Sequence, residues 1–426
     1  MAKKTKPPVA EVPAVSEQPY YLQRAHIKDF RSIRDAKVEF KPGLNIIIGA
    51  NGSGKTNFLN CVANGLSITN HDFIGGSGTS FLMQGVNQIE LNYKVNYHIS
   101  DISSLSDDII NDMSPQDVEI KSGDMVFKGE SILAVVGEAM KANFTAFADL
   151  LLSRMVYIKY GVPNPYPFAD ESFELVVNSK GQVSARNHKG DIPLPLNEIR
   201  GVLSSFFVNE IRNRKFELDE FASVTEFAVS FWIELLEHYL SRFSPIQGLR
   251  NANTIQSYNN ASQKEIIVKG LIGDYKVNND WLPFEALSSG TQRMYYLISE
   301  ISAPSVPLLR NNFFEKKYNE GPNKIILLEE PELGIHPDQL HKLLLFLREQ
   351  SEKHQLIITT HSPQVLDMLN DDELDRITIC ELDEKKGTQF RKLKKAQIET
   401  AKKFMHTEPG MFLSDYWRYG NLEGTN

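Results

Sequence analysis

The chain has 426 residues, enough for roughly two to three domains and for a sizeable buried core. Apolar residues make up 41% and charged residues 23%, the balance of an ordinary soluble globular protein, and Lys plus Arg (46) against Asp plus Glu (54) leave a net charge of -8. That excludes a global basic footprint for nucleic acid, while a local basic patch stays open. The two cysteines, Cys61 and Cys380, exclude a disulfide framework and a Cys-rich zinc module and suit a reducing cytosol, so a cytoplasmic location is expected. No apolar run reaches about 18 residues, so no spanning helix and no membrane role are expected. Lys3, Lys4 and Lys6 are not followed by the apolar run of a secretory signal.

Residues 1–19 carry Pro7, Pro8, Pro13 and Pro19 among small and charged residues, the composition of a flexible tail. From 21 to 40, Leu22, Ile27, Phe30, Ile33, Val38 and Phe40 alternate loosely with polar residues and predict strand, turn, strand. Pro42 and Gly43 make a turn. The Ile-rich run 44–48 then reads as a buried strand ending in glycine, followed by a helix over 57–66.

Between about 95 and 280 the pattern is weaker. Residues 150–158 and 196–208 look helical, while Pro163, Pro165, Pro167 and the segment 181–190 look like loops or a hairpin. The clearest helix spans 221–243, where Phe221, Val224, Phe227, Phe231, Leu235, Tyr239 and Phe243 recur every three or four residues as a packing stripe. Clean heptads are missing, so no long coiled coil is expected. Residues 324–328 and 356–358 are further apolar runs separated by a helix over 337–351, an alternation that predicts a parallel sheet.

Four motifs carry chemistry. The stretch from Gly49 to Thr56 reads Gly-Ala-Asn-Gly-Ser-Gly-Lys-Thr and matches G-x-x-x-x-G-K-[ST], the P-loop. Gly49, Gly52 and Gly54 let the backbone around Asn51 and Ser53 close on phosphates. Lys55 would neutralise the β- and γ-phosphates, Thr56 would offer its hydroxyl to Mg²⁺, and the helix opening at Asn57 adds a favourable field. The loop stands where a P-loop must, after a buried strand and before a helix. Second, the run 325–328 delivers Glu329 and Glu330 to the C-terminal end of a strand, where open parallel sheets bind ligands. One carboxylate can hold Mg²⁺ through water, and the next can orient or deprotonate an attacking water; alone, the pair could equally be an acidic loop. Third, Leu287-Ser288-Ser289-Gly290-Thr291-Gln292-Arg293 opens a helical run, offering hydroxyls and free N–H groups to an anion or simply capping the helix. Fourth, Thr359-Thr360-His361-Ser362-Pro363 places a histidine at a strand end, within reach of a γ-phosphate.

In this order the four motifs resemble the ABC-type ATPases of the RecF, SMC and OLD branch. Ile27-Lys28-Asp29-Phe30-Arg31-Ser32 and Pro331-Glu332-Leu333-Gly334-Ile335-His336-Pro337 also look like that branch and unlike transporter subunits. The resemblance covers roughly residues 20–100 and 280–370. It implies an α/β fold: a P-loop NTPase with an ABC-type ATPase head, built of N-terminal antiparallel strands plus a parallel core sheet, and an inserted mainly helical subdomain. The implied divisions are a tail (1–19), an N-terminal lobe with the P-loop (20–95), the insert (96–280), a C-terminal lobe (281–385) and a basic and aromatic tail (386–426). The cofactors implied are ATP and Mg²⁺.

The resemblance also implies roles. Lys55 and Thr56 match the phosphate and Mg²⁺ positions, and Glu329 stands at the Walker B position usually held by Asp. Glu330 matches the catalytic glutamate and His361 the switch histidine. Ser288 and Gly290 match the signature that reaches the nucleotide of the opposite subunit, so a homodimer or higher oligomer around ATP is implied. Arg31 and Ser32 match positions near the nucleotide. For the metal-contacting glutamine after the P-loop helix, Gln84 is the choice and Gln88 the rival.

The stretch after His361 is too short for the Toprim domain of OLD-like nucleases, and no nuclease constellation stands elsewhere. Chains of this kind resemble the ATPase subunits of two-gene anti-phage systems such as PARIS and Septu, in which a neighbouring gene supplies a Toprim or HNH nuclease. The expectation is therefore an ATP-hydrolysing switch that controls a separate effector in prokaryotic anti-phage defence. The alternatives are a RecF-like repair ATPase acting directly on DNA and a low-turnover ATP-gated scaffold. Lys385, Lys386, Arg391, Lys392, Lys394, Lys395, Lys402 and Lys403 read as a solvated face or a nucleic-acid contact, and Tyr416, Trp417 and Tyr419 as a docking tail or a packing element. His336, His341 and His354 lack a metal-ligand spacing, and Cys61 reads as a small buried apolar residue.

Overall fold

A computed structural model of the chain describes residues 20–66, 78–85, 88–95, 116–129, 132–141, 155–158, 174–178, 183–187, 190–192, 218–260, 262, 265–270, 273–302, 323–407 and 412–418. The predicted N-terminal tail, the prolines at 163–167, the segment 196–208 and Tyr419 lie outside them.

β1 (Tyr21–Phe30) and β2 (Ile33–Glu39) form the antiparallel hairpin expected from their alternation, burying Ala25, Ile27, Ile33, Ala36 and Val38. β3 (Leu44–Ile48) is buried along its whole length, and the side chain of its one polar residue, Asn45, is satisfied by backbone groups of Lys41 and Gly43. α1 (Lys55–Leu66) follows and buries Phe58, Leu59, Val62 and Leu66. β4 (Thr79–Gln84), β5 (Ile89–Val95), β6 (Gln116–Ser122) and β7 (Met125–Gly129) step outward from β1 as an antiparallel ladder, with α2 (Ile132–Lys141) against the last two. The N-terminal lobe thus continues beyond the boundary expected at residue 95.

β8 (Met155–Ile158) corrects the reading of 150–158 as helical. It pairs in parallel with a strand of the core sheet, turning Val156 and Ile158 to one face and Tyr157 to the other, and this tertiary pairing decides a four-residue run whose apolar pattern suits either state. Next come β9 (Glu174–Asn178), β10 (Val183–Asn187), β11 (Gly190–Ile192), the long helix α3 (Leu218–Phe243), β12 (Gly248–Asn251), β13 (Gln256–Asn260), β14 (Glu265–Lys269), β15 (Gly273–Val277) and β16 (Asp280–Pro283). β11, β10, β9, β14 and β13 make one small antiparallel sheet, and β12, β15 and β16 another. The described part of the insert holds more strand segments than helices. A strand such as β13, which is polar and mostly exposed, carries little of the periodicity by which a strand is recognised.

α4 (Ser289–Ser302), β17 (Ile325–Glu329), α5 (Pro337–Ser351) and β18 (Gln355–Thr360) follow, and then β19 (Ile377–Asp383), β20 (Gly387–Lys392), α6 (Lys395–Thr407) and α7 (Leu413–Arg418). The stretch from residue 386 is thus part of the fold and not a tail: β20 sits between β2 and β19, and Tyr416 and Trp417 are 4% and 7% exposed in the core. Two buried aromatic rings recover more free energy from water than a displayed docking surface would leave them.

Among the described residues twelve strands form the main sheet, and β19, β3, β18, β17 and β8 are its parallel part, at the end opposite β7. Both faces are covered. Ile46, Ile48, Ile326, Leu328 and Ile358 point into a core shared with α3, α4 and α5, while Ile47, Ile325, Leu327 and Ile357 point into a core shared with α1 and the N-terminal lobe. Each such buried side chain contributes about 1.5–3 kcal/mol of burial. The antiparallel lobe is keyed to the parallel part by buried Gln355, whose amide donates to Leu22 O at 2.9 Å while its carbonyl accepts from Leu22 N at 2.8 Å. In the register, Thr360 stands opposite Ile48 and Thr359 opposite Glu329, so β3, β18 and β17 all end on one edge. Among the described residues no helix is long and apolar enough to cross a membrane.

Candidate functional site

The site is built on that edge. Gly49 N donates to Thr360 O at 3.2 Å, and the loop then turns into α1. Two of its glycines are required by their surroundings. A Cβ at Gly49 would stand 2.1 Å from Cys380 O, and one at Gly54, whose φ is +106°, would stand 2.1 Å from Thr388 Oγ1. β19 and β20 therefore press the loop from behind. Lys55 is 5% exposed and folds back over the loop, donating from Nζ to Gly49 O at 2.8 Å and Ala50 O at 3.0 Å. Its Nζ lies 3.7 Å from Glu330 Oε1. Thr56 donates its hydroxyl to the Glu329 carboxylate.

A polar chain braces the loop from the side. Asn57 Nδ2 donates to Ser32 Oγ at 2.8 Å, the Ser32 and Thr388 hydroxyls are 2.8 Å apart, and Thr388 Oγ1 is 2.9 Å from Ser53 O. With one hydrogen per hydroxyl, every link is made when Ser32 donates to Thr388 and Thr388 donates to Ser53 O. Arg31, in the left-handed region at φ 52°, donates from Nη1 to Asn57 Oδ1 at 3.3 Å.

Glu330 follows β17 with φ 43°, a conformation that costs a non-glycine residue of order 1 kcal/mol. Its N–H still donates to Thr359 O at 2.8 Å, which fixes the turn. His361, on the adjoining strand end, holds Nδ1 3.3 Å from Glu330 Oε1 and 3.9 Å from Glu332 Oε1. Burial pushes the Glu332 carboxyl up, against the pull of the Thr360 hydroxyl that it accepts. Burial likewise pushes the thiols of Cys61 and Cys380 up, to about 12 and about 11, so neither is a reactive thiolate. Tyr157 donates to Asn60 Oδ1 at 3.2 Å, and burial together with the Glu329 charge raises its phenol.

The comparisons fit this arrangement. A family described as "AAA domain" matches residues 24–130, and one described as "AAA domain, putative AbiEii toxin, Type IV TA system" matches residues 161–367. The first stretch contains the P-loop, and the second contains Glu329, Glu330 and His361. Among curated proteins, the DNA replication and repair protein RecF of Acidothermus cellulolyticus is 50% identical over 42 residues, 10% of this chain and 11% of that protein. RecF of Magnetococcus marinus is 46% identical over 52 residues, 12% and 13%. The match spans about a tenth of the RecF proteins' length. Among solved structures, an SMC head bound to the C-winged helix domain of ScpA is 13% identical, with a TM-score of 0.45 over 89% of this chain and 99% of that one. The SMC head domain from Thermotoga maritima is 10% identical, with a TM-score of 0.41 over 88% and 99%. The two family matches, laid on the site, support an AAA-type P-loop domain.

The remaining candidates separate into two groups. Ser288 and Gly290 stand at the start of α4. The Ser288 hydroxyl accepts from Thr291 N at 3.2 Å, and a Cβ at Gly290 would meet Gln339 Oε1 at 3.0 Å and Gly334 O at 3.3 Å. Their described contacts are with α4 and the 334–339 segment and not with the P-loop of the same chain. Gln84 does not join the site. It pairs with Tyr21 at the start of β1, and Arg31, beside the loop, lies beyond the other end of that ten-residue strand, roughly 30 Å away. Gln88, just before β5, is exposed. A glutamine's place in the chain does not carry the register that decides which end of the sheet it reaches.

Residues that sequence reasoning missed are Thr388 and Cys380, which back the loop, and Thr360 with Glu332 beside His361. The Pro331–Pro337 stretch offered a signal for Glu332; nothing local marks Thr388, whose partner Ser53 is 335 residues away.

Proposed function

We propose that this chain binds ATP with Mg²⁺ at the 49–57 loop, hydrolyses it, and serves as a switch that pairs with a second copy around the nucleotide. The observation that carries the reading is the convergence of Lys55, the Thr56–Glu329 pair, Glu330 and His361 on a loop whose glycines meet Cys380 O and Thr388. The donor set fits the group. Lys55, held by two carbonyls, can turn its ammonium to β- and γ-phosphates, and loop N–H groups at the start of α1 supply anion contacts. Thr56 and Glu329 would hold Mg²⁺, Glu329 through water, and with Glu329, Glu330 and Glu332 clustered near one lysine a polyphosphate needs a divalent cation to offset the charge. When bound, Mg²⁺ supplies charge neutralisation of the phosphates. Glu330 is the general base that takes the proton from the attacking water, and His361, which meets Glu330 before that water is engaged, faces the γ-phosphate. Asn57, Ser32 and Arg31 keep the loop's flank in place.

The position of Ser288 and Gly290, away from their own P-loop, supports action on the nucleotide of a second copy. Control of a separate effector, a nuclease in the anti-phage setting, rests on the resemblance to two-gene ATPase subunits, and the toxin–antitoxin description of the matched family supports a chain that acts with a partner. The RecF identity favours a second reading, an ATPase that acts directly on DNA. Nucleotide titration with and without Mg²⁺, followed by phosphate release with and without gapped DNA, tests both. Mg²⁺-dependent binding and slow turnover unaffected by DNA support the first, and strong stimulation by DNA the second.

A further inference from the structure

Glu332 lies in the turn after Glu330, and the proposed hydrolysis gives it no part. Its side chain is 6% exposed. One carboxylate oxygen, Oε1, accepts the Thr360 hydroxyl, and that hydroxyl in turn accepts from Ser362 N at 2.9 Å. The other oxygen, Oε2, is buried and has no hydrogen-bond partner, and the buried Nδ1 of His361 makes no hydrogen bond beyond its 3.3 Å ion-pair approach to Glu330 Oε1. Glu332 therefore carries an unpaired oxygen beside a ring nitrogen that leans only on Glu330, and that nitrogen lies 3.9 Å from Glu332 Oε1. A buried polar group left unpaired costs about 1–3 kcal/mol, so the free oxygen of Glu332 beside the ring calls for a state in which the two meet.

The surroundings say which group moves. Glu332 is pinned at Oε1 and packed into the wall. Glu330 is more exposed, at 18%, and reaches both Lys55 Nζ and His361 Nδ1 with the same oxygen, Oε1. Once Glu330 faces a water on the phosphate, that oxygen is no longer available to the ring, and His361 needs a second acceptor to keep its orientation. Resting on the proposed ATPase reading, we infer that Glu332 is a positioning residue that holds the His361 ring when Glu330 turns to the reacting water. The two carboxylates then divide the work: Glu330 meets the substrate water, and Glu332 keeps the imidazole in place through Nδ1. Burial of Glu332, which raises its carboxyl, also makes it a poor competitor for Mg²⁺.

The test uses Glu332→Gln, which keeps the size of the side chain and the acceptor for Thr360. In the full chain kcat should fall about tenfold or more while nucleotide affinity changes by less than about twofold. In a His361→Ala background the same substitution should have no further effect, because the ring that it positions is gone. Thr360→Val, which releases Oε1 while keeping the buried shape, should lower kcat in the same sense. A kcat equal to wild type in Glu332→Gln, or an equal loss with and without His361, overturns the inference. A wild-type chain that releases no phosphate overturns the proposed function instead. Imidazole ring-nitrogen spectra of the nucleotide-bound chain then still decide the contact: the His361 signals must shift in Glu332→Gln, and unchanged signals refute it.

Discussion

Thr388 occupies the space that a side chain at Gly54 would need. A Cβ there would stand 2.1 Å from Thr388 Oγ1 and 2.7 Å from its Cγ2, and the backbone is left-handed at φ +106°. The same threonine hydroxyl is 2.9 Å from the carbonyl of Ser53, so it shapes the loop as well as limiting it. The β19–β20 hairpin is in this sense the back wall of the P-loop.

Gly54→Ala should therefore carry two separable costs. Backbone strain contributes about 1–3 kcal/mol, and the clash with Thr388 adds to it. Thermal melts should show a lower Tm and nucleotide titration a loss of binding. Adding Thr388→Ala should recover only part of the stability, since the left-handed backbone remains. Full recovery in the double variant would place the whole cost on the contact and none on φ.

Lys55→Ala removes the cation that lies 3.7 Å from Glu330 and folds over the loop carbonyls. A charge-assisted contact of about 1.5–3 kcal/mol corresponds to roughly ten- to hundredfold in affinity. Titration with labelled ATP should show that loss in a chain with an unchanged circular dichroism spectrum. Unchanged affinity in the folded variant would exclude the loop as the nucleotide site.

Ser288→Arg addresses the composite site. The substitution removes the cap on α4, at a cost of about 0.5–2 kcal/mol, and Ser288→Ala controls for that cost. The bulky variant should bind nucleotide to one subunit and fail to hydrolyse it. Mixed with Lys55→Ala chains it should regain activity, because each mixed dimer holds one intact site. Proven mixed dimers without activity would rule out action across the interface.

His354 gives a pH prediction. Burial, then the nearby Lys324 and Lys353, push its imidazole down to about 3, and its Nδ1 accepts from Lys324 N at 3.1 Å, a role that only the neutral ring can play. Below pH 6.5 the unfolded chain takes up a proton that the folded chain refuses. Stability is therefore fully present above about 6.5 and falls by about 1.4 kcal/mol per pH unit below it, down to the folded value. Urea unfolding of wild type should lose about 1.4 kcal/mol more than His354→Gln between pH 7.5 and 5.5. Equal losses would show that His354 is not the group that titrates.

The legible parts of the chain were those where local pattern and tertiary role coincide. β3, β17 and β18 are continuous apolar runs because both faces of a parallel strand are covered, and the P-loop and the Glu329–Glu330 pair follow directly from where those runs end. β13 is different: Gln256–Asn260 is polar and mostly exposed, so only its partners make it a strand. Val156 and Ile158 of β8 could pack as well in a helix, and the choice is made by β17. Trp417 reads from the sequence as part of a docking tail or of a packing element, and its burial in the core decides for the second. Gln84 and Thr388 are opposite errors with one cause. Sheet register carried the first away from the loop and brought the second to it, and register is not written in any short stretch of sequence.

The central claim is that Glu330 is the base of an ATP-hydrolysing site. The most direct test is Glu330→Gln, which keeps size and hydrogen bonding and removes the base. Phosphate release under single-turnover conditions, run beside ATP binding and light scattering on the same samples, reads the outcome. The account predicts wild-type ATP affinity, phosphate release slowed by about 10²-fold or more, and a dimer that accumulates with ATP and Mg²⁺. Normal release from Glu330→Gln, with Glu329→Gln inactive, would contradict it and move the base to Glu329.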